Sequence, residues 1–315
     1  MLPMLPAYFI SITAALSLAC LVTLLAPKIS RWVPALTTYG KTSLEIKDQP
    51  RLLQAIAVPK KWFTHFYILA VLNIGSWLVF TYLLITHATT TSSLLTEFLR
   101  KLTPVGPKRK GCACINFVDS QLSVSWSSTI LVLLLMFIHV LRRCYESLFV
   151  SVYSDTTMNI GHYIMGLIHY VVLPLTVLCE ANGFVNNKRG KLTFHDINIS
   201  QWLGIVFFIY CNWQQHEIVQ KMAKVRKSSD GLVSDYLHGI FYGGWFKLIS
   251  CPHFLFEIGI YVSFWLVVPK SYCFSYMVGF VIVNQIFAAL ISHRWYKNKF
   301  AKYPTDRAAI FPYIL

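Results

Sequence analysis

The chain has 315 residues, of which 56% are hydrophobic and 13% are charged, and its formal net charge is +15 at pH 7. One water-soluble globule of this size cannot bury so much apolar surface, so the composition predicts an integral membrane protein and excludes an ordinary soluble domain. The Lys and Arg residues lie between apolar runs and not on one soluble face, which argues against a nucleic-acid-binding protein.

Seven apolar runs have about the 20 residues that a helix needs to cross a bilayer, and they predict an all-α integral membrane protein with a seven-transmembrane-helix bundle. The predicted spans are 7–26, 63–86, 126–146, 159–180, 199–219, 252–269 and 271–291. The first run begins without Lys or Arg and is longer than the core of a signal peptide, so we expect a retained helix. The last two runs almost touch, which predicts a tight helical hairpin or one helix that is short or tilted.

The distribution of basic residues predicts the orientation. If the N-terminus lies outside the cytosol, 19 of the 28 Lys and Arg residues fall in segments on the cytosolic side. The positive-inside rule therefore favours a cytosolic C-terminus, with ordered cytosolic loops and an ordered C-terminal tail. One basic run, KRK at 108–110, opposes this assignment from the Ser- and Thr-rich loop 87–125 on the other side.

Motifs of soluble cofactor and metal sites are missing. The sequence has no GxGxxG after a strand, no GxxxxGK[ST] and no HExxH. The missing glycine motif excludes a soluble Rossmann domain, as far as a sequence pattern can. Six of the eight cysteines lie in or beside apolar runs and are predicted to be packing residues. Cys112 and Cys114 are too close in sequence for an unstrained disulfide, and no Cys or His spacing predicts a metal site.

Several polar residues lie inside the predicted spans. An ionisable group there costs about 2.5–3.5 kcal/mol on insertion scales, so it usually faces a cavity or a partner. A hydrogen bond at a helix end or between helices explains each one alone, but together they gather towards the cytosolic ends and favour one shared cavity. They are His65, His139, Glu146, Gln214, Gln215, His216, Glu217, Glu257, Asn284 and His293.

Cations and aromatic rings lie among the cytosolic segments, a combination that suits a phosphate-bearing nucleotide. Attraction to anionic lipid, together with an aromatic belt, is the alternative explanation. The cations are Arg142, Arg143, Lys224, Arg226, Lys227, Arg294, Lys297, Lys299, Lys302 and Arg307, and the rings are Tyr242, Trp245, Trp295, Tyr296 and Tyr303.

Three blocks of sequence resemble the steroid 5α-reductase family, which also includes trans-2-enoyl-CoA reductases. Residues 293–313 fit its C-terminal signature, H-R-x-Y-x-x-x-F-x-x-Y-P-x-x-R-x-x-x-x-P-[FY]. Residues 250–257 fit S-x-P-[NH]-[YF]-x-x-E, and residues 139–150 fit H-x-x-[RK]-R-x-x-E-x-[LI]-[FY]-V. The resemblance covers nearly the whole chain except the loop 87–125.

Two stretches are similar to one branch of that family, polyprenol reductase, also described as polyprenal reductase. They are YGK (39–41) followed by VPKKWFTHFYILAVLN (58–73), and RRCYESLFVSVYS (142–154). The resemblance implies an endoplasmic reticulum membrane protein with a lumenal N-terminus, NADPH as hydride donor, and reduction of a carbon–carbon double bond conjugated to a carbonyl. For this branch it implies a long-chain isoprenoid substrate, polyprenal or polyprenol, whose saturation leads to dolichal and dolichol for protein N-glycosylation. We expect membrane lipid around the protein and infer no obligate protein partner.

The whole chain, 1–315, is predicted to be one domain, whose cofactor-binding half is about 199–315. The predicted cofactor-binding residues come from the motif blocks, from the fifth span and from the nearby cations and rings. They are Arg143, Gln215, Arg226, Trp245, His253, Glu257, Asn284, Arg294, Tyr296, Tyr303 and Arg307. The sequence departs from the family four residues after Gln215, where an acidic residue is replaced by Val219. We expect the tail to fold back over the helix ends, with residues 311–315 as an apolar anchor.

The main departure from the family concerns catalysis. Steroid-reducing members have a Glu in the second span and a Tyr just after the third-span His, where this chain has Phe66 and Val140. Loss of both carbonyl-polarising groups argues against a steroid 3-ketone as the main substrate. We predict that His65 polarises an aldehyde or donates the proton, with His139 as its partner, because an imidazole can do either near pH 7.

An aldehyde suits this chemistry better than an alcohol. An isolated allylic alcohol has no electron sink for an added hydride, whereas an aldehyde polarised by a hydrogen bond has one. Two alternatives stay open: the same fold with a steroid or enoyl-CoA substrate, and a non-catalytic membrane scaffold or transporter. A pore needs polar residues at all depths, and the gathering of cations and rings on one side disfavours it.

Overall fold

The structure, a computed structural model, describes residues 3–30, 32–38, 40, 42, 50–103, 124–185, 197–227 and 239–315. Several of the sequence features lie outside these residues: the KRK run at 108–110, Cys112, Cys114 and the outer two residues of the YGK stretch.

Helices make up most of the described chain. In chain order they are α1 (Met4–Leu25), α2 (Trp32–Thr37), α3 (Arg51–Ala55), α4 (Phe63–Ile85), α5 (Ser93–Leu102), α6 (Trp126–Tyr145), α7 (Ile160–Leu178), α8 (Asn182–Val185), α9 (Ile199–Lys224), α10 (Pro252–Val267) and α11 (Tyr272–Lys299). A 3-10 turn, Lys60–Trp62, leads into α4, and a π-helical turn, Glu146–Val150, follows α6.

A helix covers each of the seven predicted spans, and the all-α membrane class is confirmed. Within the described parts of the chain, five segments are long and apolar enough to cross a membrane: Met4–Leu25, Lys60–Ile85, Trp126–Val150, Ile160–Leu178 and Tyr272–Lys299. The other two candidates differ for separate reasons. The second half of α9 is rich in polar residues, and α10 is apolar but has only 16 residues. For these two helices, membrane crossing stays a prediction.

The predicted hairpin joins α10 to α11, and a buried carboxylate fixes it. Ser271 caps α11 by accepting a hydrogen bond from the amide of Phe274 at 3.2 Å. Glu180, just after α7, accepts hydrogen bonds from the Ser271 hydroxyl at 2.6 Å and from the amide of Cys273 at 3.0 Å. A helix N-terminus exposes unpaired N–H groups and favours negative charge, so Glu180 ties the end of α7 to the start of α11.

A proline inside α7 is compensated by a side chain of α4. Pro174 has no N–H, so the carbonyl of Tyr170 four residues earlier loses its helical donor. The Asn73 amide donates to this carbonyl at 2.9 Å and to the carbonyl of Val171 at 3.4 Å. Neighbouring helices commonly satisfy such freed backbone groups in membranes. The Asn73 hydrogen bonds therefore fix the axial position of α7 relative to α4.

Two short strands, β1 (Ala57–Pro59) and β2 (Thr157–Asn159), pair in antiparallel register immediately before α4 and α7. Val58 and Met158 are opposite each other and both are buried. The Asn159 side chain then caps α7 by accepting from the amide of Gly161 at 2.6 Å. The pairing therefore places the first turns of α4 and α7 side by side.

The tail folds back onto the segment before α10, as the sequence predicts. The amide of Ala308 donates to the carbonyl of Leu248 at 3.0 Å, and the amide of Ser250 donates to the carbonyl of Ala308 at 2.8 Å. The apolar anchor differs from the expected residues 311–315. Ile310 is fully buried, whereas Tyr313 is 90% exposed, because the parallel pairing at Ala308 directs the residues just after it into the core.

Candidate active site

A buried carboxylate organises the polar cluster at the end of α6. Glu146 is fully buried, and Arg142 and Arg143 precede it by four and three residues, so the three side chains share one helix face. Arg142 donates to one carboxylate oxygen and Arg143 to the other. A buried charge is tolerated when it is paired and hydrogen-bonded, and the two guanidinium groups provide that pairing.

Side chains of α9 connect this carboxylate to α10. The Gln215 carbonyl oxygen accepts from Arg142, and its amide donates to Glu257 at 2.6 Å. Asn212, three residues before Gln215, accepts from Arg142 Nε at 2.8 Å. His216 Nδ1 lies 2.7 Å from Glu146 Oε1. The site is therefore one network built from α6, α9 and α10.

His139 lies inside this network. Its ring is 1% exposed, its Nδ1 lies 3.3 Å from a guanidinium nitrogen of Arg142, and its Nε2 lies 3.6 Å from Glu257 Oε1. Among the described residues, Nε2 has no hydrogen-bond partner. Leaving a buried polar atom unsatisfied costs free energy, so this nitrogen is a candidate contact for a bound ligand.

Tyr67 and Asn212 belong to the network but were not among the residues predicted from the sequence. Tyr67 accepts from Arg143 at 2.8 Å, and its ring lies 5.0 Å from the guanidinium carbon. Asn212 was missed as well, although its spacing of three residues from Gln215 places both on one helix face and could have identified it. Tyr67 carries no such signal, because a Tyr in an apolar helix is usually a packing residue.

His65 lies outside the network. Its ring is exposed, its Nδ1 lies 3.0 Å from the Tyr163 hydroxyl on α7, and the ring packs against Trp62. The predicted partnership with His139 has no contact in the described structure, because His65 points towards α7 while His139 points towards α10. The two histidines are therefore separate candidates and not a hydrogen-bonded pair.

The tail signature builds a second cluster around Ser250. The Ser250 hydroxyl lies 2.6 Å from His293 Nδ1 and is hydrogen-bonded to the Tyr303 hydroxyl. Tyr303 stacks on Tyr296, with ring centroids 5.4 Å apart. Burial raises the pKa of the Tyr303 phenol above its ordinary value. The family motif S-x-P and the tail signature thus meet at one serine.

Arg307 gives the tail cluster a buried cation. Its guanidinium carbon lies 5.1 Å from the ring centroid of Tyr303 and 5.7 Å from that of Tyr242. The residue is 5% exposed, and its Nε has no hydrogen-bond partner among the described residues. The stacked rings partly replace water around the charge, and one strong donor stays available to an anion.

Other predicted cofactor residues lie nearby with partners of their own. The Trp245 indole N–H donates to Gln214 Oε1 at 3.0 Å, which holds the ring against α9. Arg226 donates to the carbonyl of Val152 at 2.6 Å, which joins the end of α9 to the segment after the π-helical turn. Both contacts are at the same end of the bundle as the buried network.

The remaining three predicted cofactor residues, His253, Asn284 and Arg294, have different surroundings. The backbone carbonyl of His253 accepts from Gln215 at 3.1 Å, so its segment belongs to the network. Asn284 is part-buried in the middle of α11. The Arg294 guanidinium donates to the carbonyls of Thr23 and Leu24, the last turn of α1. Arg294 thus joins α11 to α1 and satisfies carbonyls that a helix end leaves unpaired.

The positions that replace the steroid-polarising pair are tightly packed and apolar. Phe66 is 5% exposed, and its ring lies so close to Gly166 of α7 that a Cβ added to this glycine would come within 2.8 Å of it. Val140 is fully buried. Neither position offers a hydrogen bond to a carbonyl.

The polar residues fit a nucleotide cofactor. The Arg307 guanidinium lies near two aromatic rings and has an unpartnered Nε among the described residues, and such a cation beside rings suits a phosphate and a nucleobase. The His139 Nε2 atom and the Gln215–Glu257 pair offer donor and acceptor atoms of the kind that a carboxamide needs. Both ends of a dinucleotide therefore have matching chemistry among the described residues.

A separate apolar groove opens between α4 and α6. It has a volume of about 630 Å³, and its lining includes Val71, Gly75, Val79, Leu83 and Phe137. Val71 lies one helical turn after Tyr67, so the groove begins beside the polar network and runs along α4 away from it. The apolar lining of this groove suits a hydrocarbon chain.

The fold and the site define a class: a multi-pass helical membrane protein with a buried polar network towards one end of its helices and an ordered basic tail beside it. Residues 151–315 match the family described as 3-oxo-5-alpha-steroid 4-dehydrogenase, and the chain belongs to this steroid 5α-reductase family. A polyprenal reductase of Caenorhabditis elegans is 42% identical over 319 residues, covering 99% of this chain and 96% of that protein. Polyprenal reductases of Danio rerio and Homo sapiens are 33% and 31% identical, covering 88% and 98% of this chain and 85% and 95% of their own length.

Proposed function

We infer that this protein is an oxidoreductase that saturates the α-isoprene carbon–carbon double bond of polyprenal, giving dolichal on the route to dolichol. The observation that carries this inference is the match, over nearly the full chain, to relatives named polyprenal reductase. The packing of Phe66 and Val140 supports it, because a steroid ketone would find no polarising group at those positions. Family membership supports a nicotinamide cofactor in general.

We propose NADPH as that cofactor, with its phosphates near Arg307. A cation flanked by Tyr242 and Tyr303 offers charge to a phosphate and a face to an adenine ring. Arg226 and Trp245, at the same end of the bundle, extend the cationic and aromatic surface. Tyr296 supports this surface from beneath through its stack with Tyr303.

The other end of the cofactor is proposed to lie at the buried network. Gln215 and Glu257 present an amide and a carboxylate that are already hydrogen-bonded to each other, so little side-chain entropy is lost on binding. His139 Nε2 adds a third polar contact, and Arg143 holds the carboxylates in place. The reduced nicotinamide, when bound, supplies the hydride for the double bond. His253 and Asn284 flank this region through the backbone of α10 and the middle of α11.

Proton chemistry is proposed for the two histidines separately. His139 is enclosed beside Glu257 and can hold a proton close to the reacting double bond. His65 lies at the exposed start of α4, where it can exchange protons with water through Tyr163. The long isoprenoid tail is proposed to lie in the apolar groove along α4, because the lining is almost entirely apolar and the hydroxyl of Ser76 already donates to the carbonyl of Leu72 within the helix.

We propose an endoplasmic reticulum membrane protein with seven spans, a lumenal N-terminus and a cytosolic C-terminus. The cytosolic side then contains the buried network, the tail cluster and most of the basic residues, as the positive-inside rule favours. A polar second half of α9 fits this arrangement, because it faces the network and not lipid.

The proposal is tested with purified full-length protein, NADPH and each of polyprenal, polyprenol, testosterone and an enoyl-CoA. We expect polyprenal to be consumed, with a product two mass units heavier and loss of NADPH absorbance. Replacing NADPH by NADH is expected to lower the rate. Turnover of testosterone alone, with polyprenal unchanged, would overturn the substrate assignment.

A further inference from the structure

We propose that Tyr261, hydrogen-bonded to His169, donates the hydrogen bond that polarises the aldehyde oxygen of the substrate. The inference rests on the proposed function and deepens it, because it assigns a carbonyl-binding group in place of the two that the family uses and that this chain lacks. Tyr261 is the proposed catalytic residue, and His169 is a positioning residue that acts through it.

The pair lies in the middle of two helices, far from any helix end. His169 Nε2, on α7, is 2.7 Å from the hydroxyl of Tyr261 on α10. Tyr261 is 1% exposed. Polar and ionisable groups at membrane depth are expensive and usually mark a pathway or a reaction site. Neither residue belongs to the Glu146 network, and neither is needed to cap a helix.

The pair lies one helical turn deeper than the proposed nicotinamide contacts. Tyr261 follows Glu257 by four residues on the same face of α10, a rise of about 6 Å. On the neighbouring helix α11, Phe280 contacts the His169 ring and precedes Asn284 by four residues. A conjugated aldehyde has its oxygen three bonds from the β carbon, so an oxygen at Tyr261 leaves the β carbon near the layer of Glu257.

Aromatic rings enclose the His169–Tyr261 pair. The rings of Tyr170, Tyr261 and Phe280 surround His169, with centroid distances of 5.2, 5.8 and 6.2 Å, yet His169 keeps part of its surface accessible. Aromatic walls exclude water and lower the local dielectric, which strengthens a hydrogen bond to a developing negative charge.

The hydrogen-bond donors and acceptors of the His169–Tyr261 pair suit a carbonyl ligand. In the tautomer with its proton on Nε2, His169 donates to the phenol oxygen of Tyr261. The phenol hydrogen then stays available for a third atom, and the imidazole hydrogen bond makes the phenol a stronger donor through cooperativity. A carbonyl oxygen is an acceptor with no hydrogen of its own, so it completes this chain without leaving a surplus donor.

With the aldehyde oxygen at Tyr261, the reduction proceeds by hydride addition and then protonation. Hydride addition at the β carbon forms a C–H bond and moves the pair of the α–β double bond to the bond between the α carbon and the carbonyl carbon. The carbonyl pair moves onto oxygen, and Tyr261 stabilises the resulting enolate. A proton, supplied by water through a side-chain donor, then adds to the α carbon and the carbonyl re-forms. The aldehyde gains one hydride, which carries two electrons, from the cofactor and one proton from water, so the product has two more hydrogen atoms.

The decisive variant is Tyr261→Phe, which removes the hydroxyl and keeps the ring. Purified full-length protein with NADPH and polyprenal should show kcat lowered by about 100-fold or more, the usual cost of removing one oxyanion donor. Affinity for NADPH should change by less than about twofold. His169→Gln, whose amide can still donate, should lose less activity than His169→Phe, which cannot.

A spectroscopic readout separates polarisation from general damage. A short conjugated aldehyde such as farnesal, bound to the wild-type protein with NADP⁺, should show its π→π* absorption at longer wavelength than in detergent alone. A hydrogen bond to the aldehyde oxygen lowers the energy of that transition. Tyr261→Phe should abolish that shift. Tyr276→Phe is the matched control, since its hydroxyl contacts only the Tyr272 hydroxyl, at 2.9 Å, among the described residues and should leave both kcat and the shift unchanged.

The outcomes distinguish this inference from the function on which it rests. A wild-type protein that does not reduce polyprenal would overturn the proposed function. An active wild type, together with unchanged kcat and an unchanged absorption shift in Tyr261→Phe, would overturn only the role of the pair. If Tyr261→Phe does not fold, as judged by thermal unfolding and NADPH binding, the His169 variants decide: wild-type kcat and shift in His169→Phe contradict the inference.

Discussion

Tyr296 and Tyr303 lie face to face, with ring centroids 5.4 Å apart and ring planes inclined by 11°. Tyr296 belongs to the last turns of α11, and Tyr303 belongs to the turn that leaves this helix. Their stack holds the turn against the helix, and the Ser250 hydroxyl binds Tyr303 from the other side. The position of Arg307, four residues further on, depends on this arrangement.

Removal of the chain from Tyr303 onward is expected to abolish both NADPH binding and activity, because Arg307 and the backbone pairing at Ala308 are lost together. Fluorescence titration with NADPH and the turnover assay measure the two effects. A shorter deletion, of the exposed residues 313 and 314 only, should keep measurable NADPH binding. A truncated protein with full activity would show that the tail has no part in the site.

Glu146→Ala is expected to destabilise the protein by about 3–5 kcal/mol, because it leaves two partly buried guanidinium groups without the buried carboxylate that pairs with them. The loss is measured as a lower thermal unfolding temperature in detergent or lipid nanodiscs. Glu97→Ala is the matched control. Its ion pair with Lys101 is exposed on both sides and screened by water, so its removal should leave the unfolding temperature almost unchanged. Equal effects of the two substitutions would contradict a stabilising role for the buried network.

Asn73→Leu is expected to cost about 1–2 kcal/mol, because the Tyr170 carbonyl opposite Pro174 then has no donor in an apolar surrounding. The same substitution should cost less in a Pro174→Ala background, where the helix supplies its own N–H. A double-mutant cycle of unfolding free energies measures this coupling. Additive effects would mean that Asn73 does not compensate the proline.

His65→Ala is expected to leave NADPH affinity unchanged and to lower turnover, because the residue lies outside the proposed cofactor contacts and has the Tyr163 hydroxyl as its hydrogen-bond partner. The turnover should be restored in part by added imidazole, which can replace the missing proton carrier. Normal turnover in the variant would remove His65 from the mechanism and leave His139 as the proposed histidine.

Val79→Trp is expected to fill the apolar groove and to lower kcat/KM for long-chain polyprenal by about tenfold, with little effect on farnesal, whose short chain does not extend as far. Val206→Trp is the control, since Val206 is similarly exposed on α9 and does not line the groove. A uniform loss for both chain lengths would indicate general damage and would argue against the groove as the chain-binding surface.

The sequence predicted the positions of the helices well, because each apolar run has the length and composition typical of a helix in a membrane. It also predicted which ends of the helices carry polar residues, and Gln215 and Glu257 do meet. It did not predict that His65 and His139 point away from each other, since helix rotation depends on packing between helices. For the same reason it missed the His169–Tyr261 pair, whose members lie on separate helices and have no motif in common.

The backbone pairing of Ala308 with Leu248 has a consequence for how the protein is made. Residue 308 leaves the ribosome after all the described helices, so the bundle can begin to insert into the membrane before the proposed cofactor surface has formed. Until the tail pairs, the segment before α10 lacks its hydrogen-bond partners, and the proposed nucleotide site is incomplete. We therefore expect maturation to end after membrane insertion, and a fusion that delays docking of the tail should delay activity without changing membrane insertion.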